Sequence, residues 1–344
     1  MYCPNAQLDC MVLRGARILV TGGTGSIGSE IVRQLLGRSP EHILVFSRDD
    51  SKHFYLQQQM AWLGNVGFMI GDVRDRESLS RAFQTGIDVV IHAAALKHVL
   101  ICEQNPTEAV KTNILGTQNV VDLAKENGVK VMMTISTDKA VSPTSTMGAS
   151  KFVAERLTID GNQSSGTQCS CVRFGNVLGS RGSVIPSFVM GIRERGSIWI
   201  SDPAVTRFAM PIPDAAKLVL DAVEMSNGGE IFVLKMKAFS IEQLLRVIKN
   251  MPFATNGFEV EERGLVRAEK LHEDLITTEE APRLWETENH YIVAPPFGAF
   301  GDWEPVNGAT RSNLDEFCSD RAEMYSDEDL QIEIQASIDA LGLD

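Results

Sequence analysis

The sequence predicts an α/β protein with a doubly wound parallel sheet and a smaller second α/β lobe. Over the first half of the chain, short aliphatic runs alternate with amphipathic segments, which is the pattern of βαβ units. The first aliphatic run leads directly into a glycine-rich turn and then a helix. After about residue 175 the alternation gives way to a glycine-rich polar stretch, which marks the start of the second lobe.

Composition fits a globular protein of one large domain and a smaller lobe. The chain has 344 residues, of which 44% are hydrophobic, and a formal net charge of −13. The negative charge argues against partners such as nucleic acid or an anionic membrane. No apolar run approaches the roughly 18 residues of a spanning helix, and the N-terminus has no basic signal-peptide region. We therefore predict a cytoplasmic protein.

The six cysteines show no metal-binding or redox spacing, and we predict no metal site. Cys169 and Cys171 alternate along a predicted strand, so their thiols face one side. We expect both thiols to be buried and inert.

The first strand, predicted over residues 17–20, is followed by Thr21-Gly-Gly-Thr-Gly-Ser-Ile-Gly28 and a helix that ends near Gly37. Strand, glycine turn and helix together are the context of a Rossmann-type dinucleotide site. Glycines let the backbone approach a pyrophosphate, and the helix N-terminus supplies amide donors. The predicted cofactor-binding residues here are Gly22, Thr24, Gly25, Ser26, Ile27 and Gly28.

The second strand, predicted over residues 42–46, ends at Ser47 and Arg48, with Lys52 close behind. A ribose-binding acid normally stands at this position in NAD-binding proteins. A small hydroxyl and a guanidinium suit a 2′-phosphate instead, so the sequence favours NADP over NAD. Asp49 weakens this preference, and a solvated Arg48 on a turn is the alternative.

The next βα units carry small or polar residues after each strand. Asp72 and Val73 follow the third strand, and three alanines follow the fourth, where a cofactor must pass close to the backbone. The exposed loop after them carries Lys97. The units comprise strands over residues 66–70 and 88–92, helices over 77–83 and 108–127, and the candidate cofactor contacts Asp72, Val73, Ala93, Ala94, Ala95 and Asn113.

The fifth strand, predicted over residues 129–135, brings Thr137, Asp138 and Lys139 to its carboxyl end. Ligands of open α/β sheets bind at that edge. An acid and an amine beside a hydroxyl can donate one proton and accept another. Lys151 is predicted to begin a helix over residues 151–158 that points back at the same place. The alternative is a solvated turn, with Met147 as a core residue.

The domain boundary is predicted at residue 175. Residues 1–175 form the NADP-binding Rossmann domain and residues 176–344 mainly the substrate lobe, with the chain crossing back over about 206–240. Predicted strands cover 168–174 and 231–234, helices cover 215–225, 241–249 and 327–341, and loops cover 175–186, 201–203 and 206–208.

These motifs resemble extended short-chain dehydrogenases of the UDP-N-acetylglucosamine 4,6-dehydratase type, over roughly residues 15–295. The Tyr-x-x-x-Lys of that superfamily stands here as Met147-x-x-x-Lys151, which is similar to the Met-containing, capsule-type branch. The remaining matching blocks are Ser47-Arg-Asp49, His92-Ala-Ala-Ala-Leu-Lys97, Cys102-Glu-Gln-Asn-Pro106, Lys111-Thr-Asn113, Ser136-Thr-Asp-Lys-Ala140, Arg173-Phe-Gly-Asn-Val177, Arg181-Gly-Ser-Val-Ile-Pro186, Thr206-Arg-Phe208 and Glu269-Lys-Leu-His-Glu273.

The resemblance implies a hydride relay on one sugar. NADP takes hydride from C4, water leaves across C5 and C6, and hydride returns to C6. The residues that match Asp138 and Lys139 are the C6 acid and the C5 base, which calls for a raised pKa of the acid and a lowered pKa of the lysine. Because Met147 cannot take the C4 hydroxyl proton, Thr137, Lys151, Lys139 or a water must do so.

The resemblance also implies the remaining binding residues. Asp72 and Val73 match the adenine contact, and Lys151 matches the nicotinamide ribose contact. The family's Arg-Pro-Gly-Glu-Lys is Arg267-Ala-Glu-Lys270 here, which leaves the identity of the sugar nucleotide open. The residues implied on the uridine-diphosphate-sugar side are Lys97, Asn176, Arg181, Ser183, Arg207 and Glu269.

The sequence leaves three functions open. The first is a dehydratase acting on a UDP-sugar, with or without inversion at C5, in a homo-oligomer (dimer or hexamer). The second is a nucleotide-sugar epimerase, and the third is a non-catalytic NADP-binding protein. Asp138 and Lys139 favour the dehydratase, because an epimerase at C4 does not need this acid–base pair.

Overall fold

A computed structural model describes residues 12–60, 63–162, 166–180, 182–296 and 303–342. Its strands are β1 (Arg17–Thr21), β2 (His42–Ser47), β3 (Val66–Ile70), β4 (Val89–His92), β5 (Val131–Ile135), β6 (Gln168–Arg173), β7 (Asn176–Leu178), β8 (Ser197–Ile200), β9 (Thr206–Pro211), β10 (Ile231–Leu234), β11 (Lys237–Ser240), β12 (Glu259–Glu262), β13 (Asp274–Ile276), β14 (Leu284–Glu286), β15 (His290–Val293), β16 (Thr310–Arg311) and β17 (Phe317–Cys318).

The α-helices alternate with the strands in the first half of the chain and are more widely spaced in the second. They are α1 (Ser26–Leu35), α2 (Asp50–Met60), α3 (Arg76–Phe83), α4 (Val99–Gln104), α5 (Pro106–Ala109), α6 (Gly116–Glu126), α7 (Thr146–Gly161), α8 (Val184–Arg195), α9 (Ile212–Met225), α10 (Ile241–Lys249) and α11 (Asp327–Ala340).

The main sheet confirms the predicted Rossmann-type α/β class. Its order is β16-β14-β15-β10-β6-β5-β4-β1-β2-β3, and the run from β10 to β3 is parallel. Ile18 of β1 pairs with Ile43 of β2 on one side and Val89 of β4 on the other. The strand order therefore reverses beside β1, which is where ligands of such sheets bind. Antiparallel strands β14 to β16 extend the sheet and were not predicted.

Apolar faces of the helices cover both sides of this sheet. Ile31, Val32 and Leu35 of α1 are buried, and this helix packs beside α9. Val120 and Ala124 of α6 are also fully buried. The first helix begins at the glycine turn, so its N-terminus lies at the carboxyl edge of the sheet.

The second lobe has a core of its own. The sheet β11-β9-β7 and the pair β12-β8 pack with α8, α10 and α11. Between β9 and β11 the chain returns to the main sheet as α9 and β10. The lobe core includes Ile185, Val189, Ile198, Phe239, Leu244, Leu330 and Ile334.

Several predicted boundaries are corrected by the structure. The stretch predicted as a loop over 175–186 contains β7 and the start of α8, and the loop predicted at 206–208 is part of β9. The helix predicted to begin at Lys151 begins at Thr146, because the Ser145 hydroxyl accepts from Gly148 N and caps it. The predicted helix 108–127 includes a π-helical segment, Val110–Leu115.

Two further observations concern the described part of the chain. Within it, no helix combines the length and the apolar character that crossing a bilayer requires. Cys169 and Cys171 are buried free thiols, as expected. Burial raises the pKa of Cys169 to about 12, which keeps that thiol protonated and inert.

Candidate active site

The glycine turn brings the ends of β1 and β4 into close contact. Gly22 has φ +70°, and a Cβ there would lie 2.7 Å from the backbone of Ala93 and Ala94. Only glycine combines that left-handed backbone with such a close approach. The turn therefore leaves open backbone beside the N-terminus of α1, which is a favourable position for a pyrophosphate.

A cavity of about 560 Å³ runs along the carboxyl edge of the sheet. It extends from the glycine turn past the fourth and fifth strands to the second lobe. Its size and its two ends fit an extended dinucleotide, with glycine backbone at one end and lysine amines at the other. Residues that line it include Gly22, Gly25, Ser26, Ile27, Lys52, Ala93, Ala95, Lys97, Thr137, Lys139, Met147, Lys151, Asn176 and Ser183.

The end of β2 carries the hydroxyl and the cations predicted for a 2′-phosphate. The Ser47 hydroxyl accepts from Thr24 N at 3.3 Å, which ties β2 to the glycine turn. Arg48 lies 3.7 Å from Asp72, and Lys52 lies 2.9 Å from Asp49. Both cations thus have carboxylate neighbours.

Asp72 is held as a carboxylate by its neighbours. Burial acts to raise its pKa, but hydrogen bonds from Arg74 outweigh burial and lower it. Val73, the next residue, is buried against Gly116 rather than open to the surface.

Asn113 was predicted as a cofactor contact, but its amide is engaged within the protein. Its Oδ1 accepts from Leu96 N at 2.8 Å, and its Nδ2 donates to Leu96 O and to Ser150 Oγ. The side chain is 1% exposed. It therefore fixes the loop after β4 against α7, and positions the cavity wall instead of facing the cavity.

The acid and the amine predicted at the end of β5 do lie together. Lys139 Nζ is 3.1 Å from Asp138 Oδ1, which also accepts from Thr137 Oγ1 at 2.7 Å. Asp138 is fully buried, whereas the Lys139 side chain is 23% exposed and lines the cavity. The Lys139 amine also donates to Asn176 Oδ1 at 3.4 Å.

The expectation of a lowered pKa for Lys139 is wrong for this structure. Burial acts to lower the pKa of Lys139, but the charges of Asp138 and Glu273 outweigh burial and raise it. Glu273 Oε1 lies 3.4 Å from Lys139 Nζ. The ground state therefore holds an ammonium between two carboxyl groups.

Lys151 has the opposite environment. Its Nζ donates to Ile135 O at 2.7 Å, and burial lowers its pKa. Met147 lies one turn earlier on α7, is 3% exposed, and packs with Cys102 and Ala109. Its thioether lines the cavity but supplies no acid or base.

Polar residues of the second lobe line two smaller cavities of about 190 and 390 Å³, and Asn176 lines all three. Arg207 pairs with Glu269 at 2.9 Å. The Ser183 hydroxyl stands at the N-terminus of α8, is buried, and has no hydrogen-bond partner among the residues described. Lys97 is exposed at the rim. Arg181, the remaining predicted contact, lies outside the described residues.

Glu273 is the site residue that sequence reasoning missed. It is 3% exposed and lines the cavity of about 190 Å³, which Lys139 also lines. Its only signal was membership of the Glu269-Lys-Leu-His-Glu273 block, in which only Glu269 was assigned a role. Nothing local indicates that residue 273 returns to the end of β5.

The fold and this cleft define a Rossmann-type α/β protein in which one cavity is lined by a glycine turn and by Lys139, whose amine pairs with the buried Asp138. Residues 18–295 match the family described as Polysaccharide biosynthesis protein, and the chain belongs to this family.

Three proteins that are similar to this chain carry different descriptions. A protein of Methanocaldococcus jannaschii described as uncharacterized membrane protein MJ1061 is 46% identical over 293 residues, 83% of this chain and 87% of that one. A UDP-N-acetylglucosamine 4,6-dehydratase (inverting) of Campylobacter jejuni is 40% identical, over 83% and 84% of the two chains. A UDP-glucose 4-epimerase of Rickettsia rickettsii is 40% identical, over 80% and 82%.

Among solved structures, the X-ray structure of Pen from Bacillus thuringiensis superimposes with a TM-score of 0.87. It is 37% identical, and the match covers 94% of this chain and 98% of that one.

Proposed function

We propose that this protein is an NADP-dependent 4,6-dehydratase of UDP-N-acetylglucosamine. The observation that carries the proposal is the Asp138–Lys139 pair, because loss of water across C5 and C6 needs one acid and one base on the same substrate. The dehydratase of Campylobacter jejuni, 40% identical, supports the choice of reaction and substrate.

When bound, the nicotinamide would supply a reversible hydride acceptor beside the sugar. The glycine turn and the alanines after β4 would hold its dinucleotide. Ser47, Arg48 and Lys52 would contact the 2′-phosphate, and Lys151 the nicotinamide ribose. The remaining chemistry falls to residues of this chain.

Water loss needs two proton movements, and the pair can make both. The neutral amine of Lys139 would take the proton from C5, while the neutral carboxyl of Asp138 would give its proton to the departing C6 hydroxyl. The two forms arise together if one proton passes from Lys139 Nζ to Asp138 Oδ1, which are 3.1 Å apart. After water leaves, Lys139 is again an ammonium and Asp138 a carboxylate.

The C4 hydroxyl proton needs another acceptor than Met147. Thr137 is the candidate, because its hydroxyl lines the cavity and donates to Asp138 at 2.7 Å. Thr137 Oγ1 would accept that proton while its own hydroxyl proton moves to Asp138 Oδ1. Asp138 would release this proton to solvent before it accepts one from Lys139, so that the later transfer between the pair starts from an ammonium and a carboxylate.

The uridine diphosphate would bind to the second lobe. The N-terminus of α8 offers backbone donors and a positive dipole end, beside the Ser183 hydroxyl, which has no partner among the residues that the structure describes. Arg207 and Asn176 line the adjoining cavity, and Arg207 is oriented by Glu269. Arg181 and Lys97 are proposed contacts of the same diphosphate sugar.

The test is incubation of the purified protein with UDP-N-acetylglucosamine and NADP, followed by mass spectrometry of the nucleotide sugar. Loss of one water is the expected result. Proton NMR of the product in heavy water would then show whether the C5 configuration is inverted or retained. If the substrate is recovered unchanged, with or without bound NADP, the proposal fails.

Epimerisation at C4 is the second candidate, supported by the Rickettsia relative named as a UDP-glucose 4-epimerase. An epimerase would give an isomer of unchanged mass. It would also tolerate Asp138→Asn, because no hydroxyl has to be protonated. The same mass measurement therefore separates the two reactions.

A further inference from the structure

Among the described residues, the ion pairs around Lys139 join three cations to four carboxyl groups, and Arg267 also lines this cavity. Asp138 lies 3.1 Å from Lys139, Glu269 lies 2.9 Å from Arg207, and Asp274 lies 3.8 Å from Lys270. The two cations that Glu273 contacts are both shared with another carboxyl group. It lies 3.4 Å from the ammonium that Asp138 already holds and 4.0 Å from Lys270.

Burial makes the excess charge costly. Glu273 is 3% exposed, and its Oε2 has no hydrogen-bond partner among the described residues. A buried carboxylate without full pairing is strongly disfavoured relative to the neutral acid. Burial and the Asp138 charge raise the pKa of Glu273, against the opposing effects of Lys139, Arg207 and Lys270.

We propose that Glu273 works as a neutral, protonated carboxyl group and that its neutrality allows Lys139 to pass a proton to Asp138. Glu273 is thus a positioning residue for the proposed dehydratase reaction, on which this inference rests. In the step concerned, one Nζ–H bond of Lys139 breaks and one O–H bond forms on Asp138 Oδ1. Glu273 keeps its proton throughout.

The physical reason is the number of carboxylates that face the ammonium. With Glu273 neutral, the transfer converts one ion pair into two neutral groups, which a poorly solvated site favours. With Glu273 ionised, a second negative charge 3.4 Å away stabilises the ammonium and opposes the transfer. Ionisation of Glu273 should therefore switch off the base.

Glu273→Gln tests this directly, because glutamine reproduces the shape of the neutral acid and cannot ionise. We expect its kcat for water loss to stay within about threefold of wild type at neutral pH, with KM for UDP-N-acetylglucosamine unchanged. Wild-type kcat should fall as pH rises through the pKa of Glu273, whereas the variant should show no such fall. Glu262→Gln, on the exposed strand β12, is the matched control and should keep the wild-type profile.

Infrared spectroscopy supplies a readout that does not depend on activity. A carbonyl band of a neutral carboxylic acid should be present in wild type and in Glu262→Gln at neutral pH. It should be missing in Glu273→Gln and should fade in wild type over the pH range in which kcat falls. Chemical denaturation of Glu273→Gln would verify that the variant is folded.

Two results would overturn the inference. One is a loss of kcat of more than about tenfold in a folded Glu273→Gln at every pH, which would show that the anion is needed. The other is the same neutral-acid band in wild type and Glu273→Gln. Failure of wild type to release water would instead refute the proposed dehydratase reaction, and the infrared comparison would still decide the state of Glu273.

Discussion

Two lysines that line the cavity, twelve residues apart in the chain, have opposite electrostatic environments. Lys139 at the end of β5 lies beside Asp138 and Glu273, and the charge of Asp138 is the main effect that raises its pKa despite burial. Lys151 on α7 contacts a backbone carbonyl, and burial lowers its pKa. Both line the same cavity. The neighbouring groups therefore shift the pKa values of these two lysines in opposite directions.

The surroundings of Lys139 and of Lys151 suit the two lysines to different tasks. The Lys139 region combines an acid, an amine and a second acid, so it is suited to moving protons. Lys151 is buried and donates to a backbone carbonyl, and Met147 packs in an apolar cluster one turn away. Lys151 and its surroundings are therefore suited to orienting a ligand without taking part in proton transfer.

The largest expected effect is on the chemistry of the Lys139 region. Asp138→Asn and Lys139→Ala should each lower the rate of water loss by about a hundredfold to ten-thousandfold, because one proton movement loses its donor or acceptor. Lys130→Ala, an exposed lysine just before β5, is the control and should keep the wild-type rate. Near-normal turnover of either active-site variant would contradict the role given to that residue.

Replacing each lysine with methionine should change the free energy of unfolding by very different amounts. Lys139→Met leaves the buried Asp138 charge without its cation, and we expect a loss of about 3–5 kcal/mol in the free energy of unfolding at neutral pH. Lys151→Met removes an amine that burial disfavours as a cation, so its loss should be smaller than about 1 kcal/mol or reversed in sign.

The pH dependence of the unfolding free energy distinguishes the two lysines further. Because the folded-state pKa of Lys151 is lowered, wild type gains stability as pH rises from that pKa toward the unfolded value of about 10.4. Any advantage of Lys151→Met should therefore shrink as pH rises over that range. Urea unfolding at neutral and alkaline pH measures it, and an equal loss in both methionine variants would remove the distinction.

A smaller effect is expected at the adenine-ribose end. Ser47→Asp would place a carboxylate where a 2′-phosphate is expected, and should weaken NADP binding by at least about tenfold while improving NAD binding. Arg48→Gln should weaken NADP binding without improving NAD binding, because it removes a cation and adds no carboxylate for the ribose hydroxyls. Isothermal titration calorimetry of both variants with NADP and with NAD measures these affinities. Unchanged NADP affinity in both variants would show that the phosphate is not bound there.

The smallest effect concerns the loop that faces Lys139 from the second lobe. Ala268 has φ +67°, a conformation that glycine adopts without strain, and its carbonyl accepts from Thr144 Oγ1 at 3.0 Å. Ala268→Gly should stabilise the fold by about 0.5–1 kcal/mol, because relief of the strain exceeds the added entropy of the unfolded chain. Thermal unfolding measures the change, and a lower melting temperature would contradict the expectation.

The second lobe was the part of the fold that local patterns described least well. Residues 175–186 and 206–208 have the glycine and polar content of loops, yet β7 and β9 form there. Their strands are short, and pairing with each other and with β11 stabilises them. Strand propensity of this kind depends on the partner strand and does not show in a short window of sequence.

The sequence by itself determined the parallel Rossmann-type sheet, the glycine turn, and the placement of Asp138 and Lys139 at the end of β5. Each of these follows from local periodicity and from the rule that parallel strands end at one edge. Only the tertiary structure placed a second carboxyl group beside Lys139, because Glu273 comes from a segment more than a hundred residues away. Electrostatic environment depends on distance in space and on burial, and neither can be counted along the chain.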